Sequence, residues 1–242
     1  MGQSVKLHAF LAHAGIASRR ASEELILQGK VCVNGTVVKN VATRIDPDHD
    51  RVEMQGKRIE LPTQRHLYYV VHKPINYVSS VSDPDGKPVV ISLVPRGTRV
   101  YPVGLLDINS EGLILMTDDG DLAYRLTHPK FIVPKTYHVL IAGSPGNTAL
   151  NALRSGVHLS DGMTAPAEVS PLKHDHGNTW IVVTIHEGKN RQIRRMCGSL
   201  NLEVLRLIRV KMGPFELGAL PVGRWRHATE QELRACSIQD VR

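Results

Sequence analysis

The regular spacing of apolar residues in this 242-residue chain stops at residues 61–66 (LPTQRH). That segment is polar, contains a proline and fits neither a helical nor a strand period, which is typical of a connection between domains. One core usually serves about 100 to 200 residues, so the chain is long enough for a large and a small domain. We therefore predict domains over residues 1–62 and 67–242, joined by a linker at 63–66.

The first domain carries the signals of two short helices and a hairpin. Apolar residues within 7–14 recur at the spacing of an amphipathic helix. A second helix should begin after Ser18, whose side chain can cap free amides, and end at Gly29. Residues 31–38 alternate around an Asn-Gly pair, the strongest short-range signal for a hairpin.

Residues 17–35 (ASRRASEELILQGKVCVNG) resemble the S4-type RNA-binding domain, a small α/β module, and the resemblance covers about residues 3–62. Paired arginines at a helix start place two phosphate-binding groups beside free backbone amides. The predicted RNA contacts of this domain are Lys6, Arg19, Arg20 and Lys30. Without the resemblance, a solvated, salt-bridged helix surface would be the better interpretation.

From residue 67 onward, β-branched and aromatic runs alternate with helical patterns, which predicts an α+β domain built on a sheet. The predicted strands are 67–72, 113–117, 135–142, 179–186 and 203–211. The predicted helices are 122–127, 148–155, 191–200 and 230–235, the last started by a capping box from Thr229 to Glu232.

The composition favours a polyanionic partner. Lysine and arginine (30) outnumber aspartate and glutamate (23), which gives a net charge of +7 and a pI near 9.5. No apolar run approaches the roughly 20 residues of a membrane span, and the first residues lack a signal-peptide pattern, so we expect a cytoplasmic protein that binds nucleic acid. A monomer is the default expectation.

Several classes of chemistry find no support in the sequence. The three cysteines are far apart and include no CxxC pair, and the 12 histidines include no HExxH motif, so we expect no metal site. No GxGxxG or GxxxxGK[ST] motif is present, which argues against nucleotide, NAD or S-adenosylmethionine chemistry. We therefore expect an activity without a cofactor.

Residues 101–120 (YPVGLLDINSEGLILMTDDG) present one acid, Asp107, in a glycine-bounded loop just before an apolar strand. From residue types alone, such an acid is most often a turn former. The same stretch, with His128-Pro129, Lys135-Thr136-Tyr137 and residues 187–197 (EGKNRQIRRMC), resembles the RsuA/RluB/RluE/RluF family of ribosomal RNA pseudouridine synthases. With the S4-type domain, the resemblance spans nearly the whole chain.

The resemblance implies a mixed, mainly antiparallel sheet with flanking helices, the pseudouridine synthase fold. It also implies an enzyme that isomerises uridine in ribosomal RNA, or in a ribosomal assembly intermediate, without a cofactor or metal. Such enzymes cleave the bond from the ribose to a ring nitrogen, turn the uracil and rejoin it through a carbon. The Lys135-Thr136-Tyr137 region and residues 222–226 (VGRWR) resemble the large-subunit enzymes most closely, RluB above all.

By motif position, the resemblance places the catalytic aspartate on Asp107, the active-site tyrosine on Tyr137 and the active-site arginine on Arg194. Asp107 would act as a nucleophile or electrostatic stabiliser, on the sugar or on the uracil ring. Desolvation disfavours an ionised carboxylate, so a nearby cation is expected, and Arg194 is predicted to pair with it. Tyr137 would stack on the flipped uracil.

The remaining assignments concern phosphates and the pocket wall. The predicted phosphate or RNA-backbone contacts in this domain are Arg191, Arg195, Arg206 and Arg209. Leu207 matches the apolar residue that lines the family's pocket. Where family members commonly have Gly-Arg-Leu-Asp, this chain has Leu105 in place of the arginine, which in the family helps to displace the flipped base. Leu105 is interpreted as an apolar wedge in the substrate pocket or as part of the loop core.

Two other functions are also compatible with the sequence. The basic surface and Leu105 also fit a non-catalytic RNA-binding protein of ribosome assembly. An S4-bearing methyltransferase is a weaker alternative, because the glycine-rich cofactor loop is absent.

Overall fold

A computed structural model describes residues 4–61 and 66–238, and the chain divides into two compact units, 1–66 and 67–242. Apart from His66, the predicted linker lies outside the described residues. In the described ranges no helix combines the length and the apolar character needed to cross a membrane.

The first unit contains two short helices and small sheets. Its elements are β1 (Val5–Lys6), α1 (Leu7–His13), α2 (Arg19–Leu27), β2 (Val31–Val33), β3 (Thr36–Val38), β4 (Arg44–Ile45), β5 (Val52–Met54) and β6 (Lys57–Arg58). The predicted helices and hairpin are confirmed. The Ser18 side chain accepts a hydrogen bond from the Ala21 amide at 3.2 Å, which caps α2. Asn34 and Gly35 turn between β2 and β3 with φ values of 51° and 80°.

The second unit is larger. Its strands are β7 (Tyr68–Lys73), β8 (Tyr101–Val103), β9 (Glu111–Thr117), β10 (Lys135–Ile141), β11 (His158–Leu159), β12 (Gly162–Met163), β13 (Glu168–Asp175), β14 (Asn178–Ile185), β15 (Val204–Met212), β16 (Phe215–Glu216) and β17 (Trp225–His227). Its helices are α3 (Gly120–Thr127), α4 (Asn147–Ser155), α5 (Gln192–Ser199) and α6 (Glu230–Ile238), with 3₁₀ turns at Val90–Leu93 and Pro129–Phe131.

The five strands and four helices predicted for this unit are present, with ends that differ by a few residues. The capping box is also confirmed, because the Thr229 amide donates to Glu232 Oε2 at 2.7 Å and the Glu232 amide donates to Thr229 Oγ1 at 3.2 Å. The strands that the sequence analysis did not predict are β8, β11, β12, β13, β16 and β17.

A nine-stranded sheet organises the second unit. Its main order is β13-β14-β10-β15-β9-β7-β17, with β8 paired to β9 and β16 paired to β15. Among the described strands of this sheet, only β15 and β9 pair in parallel, so the mainly antiparallel, α+β fold is confirmed. Every residue of β9 is buried. Consecutive side chains such as Ile114 and Leu115 point to opposite faces of the sheet and pack in separate cores. The loop that precedes β9 is therefore attached to a deeply buried strand.

Gly112 allows β9 and β15 to approach each other closely. Its φ is 108°, and a Cβ atom at this position would lie 2.3 Å from the carbonyl oxygen of Arg209. No side chain fits in that space. The close approach brings the loop containing Asp107 next to the strand that carries Leu207 and Arg209.

Candidate active site

A cavity of about 410 Å³ lies where the loop before β9 meets β10, β15 and the segment before α5. Its walls include four residues predicted from the sequence to be catalytic or pocket-lining: Leu105, Asp107, Tyr137 and Leu207. They also include Arg191 and Arg209, which were predicted to contact phosphates.

Two neighbouring strands form one wall of this cavity. Tyr137 of β10 is the cross-strand partner of Arg209 of β15, and Leu207 lies two residues earlier on β15. Tyr137 and Leu207 are only 8% and 6% exposed. Lys135, two residues before Tyr137, also lines the cavity. The wall thus combines an aromatic ring and an aliphatic side chain with two cationic side chains.

Asp107 forms its ion pair with Arg191, whose Nη1 lies 3.7 Å from the carboxylate Oδ2. The predicted pairing with Arg194 is wrong. Arg194 instead donates hydrogen bonds to the carbonyl oxygens of Asn109 at 2.8 Å and Val204 at 3.1 Å. The reason is where α5 begins: Arg191 precedes its first turn with a left-handed φ of 47°, whereas Arg194 lies within the helix.

Hydrogen bonds fix the loop on both sides of Asp107. Each backbone carbonyl oxygen from Leu105 to Ser110 accepts a hydrogen bond. Side chains donate to four of them: Arg209 Nη1 to Leu105 (3.4 Å), the Ser79 hydroxyl to Leu106 (2.7 Å), Arg194 Nη2 to Asn109 (2.8 Å) and Lys73 Nζ to Ser110 (2.8 Å). Backbone amides donate to the other two: Ser110 to Asp107 (3.0 Å) and Asn76 to Ile108 (2.7 Å). The Ser79 oxygen also accepts from the Leu106 amide at 3.0 Å. The backbone that carries Asp107 is therefore held in one conformation before any ligand binds.

Buried cations surround this loop. Lys73 is fully buried, and burial lowers the pKa of its ammonium group to about 8, against the opposing attraction of Asp107 and Glu111. Burial, and then the charge of Arg209, lower the pKa of Lys135. Arg209 is 2% exposed, and its Nη2 has no hydrogen-bond partner among the described residues. This concentration of positive charge favours a negative charge on Asp107 or on a bound ligand.

Comparison with known proteins identifies the family and the fold. The model of the RNA pseudouridylate synthase family matches residues 67–199, and that of the S4 domain matches residues 5–52. The chain belongs to the RNA pseudouridylate synthase family. It is 38% identical to an uncharacterized RNA pseudouridine synthase of Aquifex aeolicus, over 95% of this chain and 92% of the relative. It is also 38% identical to ribosomal large subunit pseudouridine synthase B of Bacillus subtilis, over 95% and 94% of the two chains.

A solved pseudouridylate synthase structure superposes with a TM-score of 0.68 at 28% identity, over 96% of this chain and 99% of the other. The protein is thus an RNA pseudouridine synthase with an S4 RNA-binding domain. The alternative of an S4-bearing methyltransferase is wrong.

Three arginines predicted to contact RNA have these surroundings in the structure. Both Nη atoms of Arg195 donate to the Asp161 carboxylate, at 2.8 and 3.0 Å, and Arg206 binds the buried carboxylate of Glu111 through Nε and Nη2. Arg209 is buried in the cavity wall and does not face the surface. Strand β15 lies inside the sheet, and its Arg209 side faces the cavity. Arg195 and Arg206 thus have carboxylate partners within the protein, and contact of the three arginines with RNA stays a prediction.

In the first unit, Lys6, Arg19, Arg20 and Lys30 are exposed, and their contact with RNA stays a prediction. Leu105 is 75% exposed, so its interpretation as loop core is wrong. Within the described ranges, no three His, Cys, Asp or Glu side chains are grouped so that they could hold a metal ion.

No role at this site was predicted for Lys73, Ser79 or Lys135. Two of these residues carried a usable signal: Lys73 ends an apolar strand run, and Lys135 opens the Lys-Thr-Tyr motif. A lysine inside a run that should be buried indicates either a partner or a pocket. Ser79 gave no such signal, because serine is common in loops.

Proposed function

We propose that this synthase converts one uridine of large-subunit ribosomal RNA to pseudouridine, with Asp107 as the catalytic carboxylate and without a cofactor. The observation that carries the proposal is Asp107 itself, held beside Arg191 in a cavity walled by Tyr137 and Leu207. The large-subunit assignment rests on the likeness to the Bacillus subtilis enzyme of that name. We infer that the reaction occurs in the cytoplasm, with residues 1–62 as the S4 domain, 63–66 as the linker and 67–242 as the catalytic domain.

The proposed reaction uses side chains that line the cavity. The reaction breaks the bond between ribose C1′ and uracil N1 and joins C1′ to C5, while the C5 proton is replaced by one on N1. Atoms and electrons balance, so nothing else is consumed. Asp107 attacks the sugar or the ring, and the Tyr137 ring stacks on the extruded base. The detached uracil carries negative charge, which the cations Lys135 and Arg209 would stabilise.

The remaining residues have supporting roles in this proposal. Arg191 orients the Asp107 carboxylate through their ion pair. Arg194 acts as a positioning residue, because it reaches the loop through the Asn109 carbonyl. Leu207 packs against the uracil, and Leu105 enters the space that the base leaves. Lys6, Arg19, Arg20 and Lys30 bind RNA phosphates through the S4 domain.

The test uses large-subunit ribosomal RNA from cells that lack this gene. Wild-type protein should modify one uridine, and Asp107→Asn should modify none while binding the RNA with similar affinity. Asp85→Asn, which changes an exposed carboxylate of the same unit, is the matched control and should retain activity. Turnover by Asp107→Asn would overturn the catalytic assignment. Wild-type protein that modifies only another RNA would overturn the substrate assignment, and RNA binding without any product would favour a role in ribosome assembly.

A further inference from the structure

An aromatic cluster with one lysine lies on the surface next to the cavity. We call Tyr124, His128, Lys130 and Phe131 the aromatic platform. The ring centroids of Tyr124 and His128 are 4.7 Å apart, and those of Tyr124 and Phe131 are 5.7 Å apart at an interplanar angle of 89°. Lys130 Nζ lies 5.1 Å from the Tyr124 ring centroid and 4.6 Å from that of Phe131.

The platform begins immediately beyond the cavity wall. Thr127 is the last residue of α3 and lines the cavity, and His128 follows it directly. A strand whose uridine occupies the cavity has neighbouring nucleotides within a few ångströms of its rim. The platform is therefore within reach of a nucleotide that flanks the target.

Packing against the core explains Phe131 but not the exposed side chains of the platform. Phe131 packs against the core beneath α3, and Leu122 and Leu126 form the buried face of that helix. Tyr124 lies on another face and is 42% exposed, and His128 and Lys130 are also exposed. The neighbouring Ile132 is 63% exposed and adopts a left-handed φ of 50°. Aromatic surface of this kind is usually kept for a partner.

The geometry is suited to a flat ligand. His128 Nδ1 accepts a hydrogen bond from the Lys130 amide at 3.2 Å, which fixes the ring beside Tyr124. Pre-ordered aromatic rings stack on unpaired nucleic-acid bases, and a nearby lysine can contact the phosphate between them. Extrusion of one nucleotide also disturbs the stacking of its neighbours, which leaves a flanking base in need of a new contact.

We propose that the aromatic platform binds an unpaired base of the substrate RNA, adjacent to the uridine in the cavity. The base stacks on Tyr124 and His128, and Lys130 contacts the neighbouring phosphate. The inference rests on the proposed function, because that function brings RNA to the cavity.

The test measures binding by the full chain carrying Asp107→Asn, which forms no product in the proposed mechanism. The probes are fragments of large-subunit ribosomal RNA selected by their binding to this chain. Each nucleotide of a bound loop is replaced in turn by an abasic residue, and each RNA is measured with and without Tyr124→Ala. This double-mutant cycle reports the coupling between the Tyr124 ring and each base.

We expect an abasic residue at one flanking position to weaken binding about tenfold, and Tyr124→Ala to weaken the intact RNA by a similar factor. The abasic RNA and Tyr124→Ala combined should weaken binding no more than either change alone. Tyr124→Phe should bind normally and Tyr124→Leu should not. Additive effects at every position, or normal binding by Tyr124→Ala and Tyr124→Leu, would overturn the proposal.

Lys130 is tested by the salt dependence of binding. Lys130→Ala should reduce the slope of log affinity against log salt by about one. Lys173→Ala changes another exposed lysine of the same unit, in β13, and should leave the slope unchanged. An unchanged slope for Lys130→Ala would remove the phosphate contact from the proposal.

Failure of the platform can be separated from failure of the proposed function. Coupling at one base in the binding assay supports the platform, whether or not the wild-type chain forms pseudouridine. Conversely, wild-type turnover in large-subunit RNA without coupling at any base leaves the function intact and removes the platform.

Discussion

Arg191 and Asp107 are joined by an ion pair of 3.7 Å, whereas Arg194, three residues further on, reaches the same loop only through the Asn109 carbonyl oxygen. The two arginines therefore act on different parts of Asp107. Arg191 contacts the carboxylate of Asp107, and Arg194 holds the backbone of the loop that carries Asp107. Burial, and then the charge of Arg191, lower the pKa of Arg194, so the two cations repel each other beside one carboxylate.

Replacement of the two arginines should separate these roles. We expect Arg191→Met to lower the single-turnover rate by about 100-fold, as for the loss of one preorganised charged donor, with little change in folding stability. Arg194→Met should lower the free energy of unfolding by about 1–3 kcal/mol, because two backbone carbonyl groups lose a charged donor. Single-turnover kinetics and urea unfolding measure the two effects. A large rate loss at unchanged stability in Arg194→Met, with normal kinetics in Arg191→Met, would reverse the assignment.

Ser79 should matter more for the rate than its distance along the chain from Asp107 suggests. Its hydroxyl donates to the Leu106 carbonyl and accepts from the Leu106 amide, next to Asp107, the proposed catalytic carboxylate. We expect Ser79→Ala to lower kcat about tenfold with KM unchanged, at a loss of about 1–3 kcal/mol of stability. Ser79→Thr, which keeps the hydroxyl, should recover kcat. Ser92→Ala, at an exposed serine, is the control; a change in KM alone would argue against positioning.

Lys73 predicts a pH dependence of folding stability. The pKa of this lysine is about 8 in the folded chain and near 10.5 ordinarily, so between these values the unfolded chain binds more protons. Its contribution to stability therefore rises as pH increases from 8 to 10.5, by an amount on the order of 3 kcal/mol. Below pH 8 the penalty for burying the charge is constant.

Other groups oppose this trend, because burial raises the pKa of Tyr68 and raises that of Cys197 to about 12. Only the difference between wild type and Lys73→Met isolates the lysine. Urea unfolding at pH 7.5, 8.5 and 9.5 should show that difference changing in favour of wild type. Parallel stability curves for the two chains would show that Lys73 titrates normally.

Much of this fold could be predicted from the sequence, because apolar periodicity is a local property. The strand at Glu168–Asp175 was missed for a physical reason: it is the exposed edge of the sheet, contains Pro171 and lacks apolar alternation. The cavity residues Asp107 and Tyr137 were found through motifs and not through periodicity.

The arginine that pairs with Asp107 could not be predicted from the sequence. Arg191, Arg194 and Arg195 follow each other so closely that motif position alone cannot decide which side chain reaches Asp107. That choice depends on where α5 begins and on the left-handed conformation of Arg191, which is set by tertiary contacts. The burial of Arg209 was not predicted for a related reason, since the sequence of a strand does not show whether a side chain meets solvent or a cavity.

Leu105 offers a test of how the target base leaves the RNA. Its side chain is 75% exposed at the cavity, so Leu105→Ala should change stability by less than about 0.5 kcal/mol. If Leu105 enters the space that the uridine leaves, Leu105→Ala should lower kcat/KM about tenfold on a paired target and much less on a target that is already unpaired, because extrusion is then easier. Met163→Ala removes another exposed apolar side chain, at 58% exposure, and should have no effect. An equal loss on both RNAs would instead assign Leu105 to holding the uracil in the cavity.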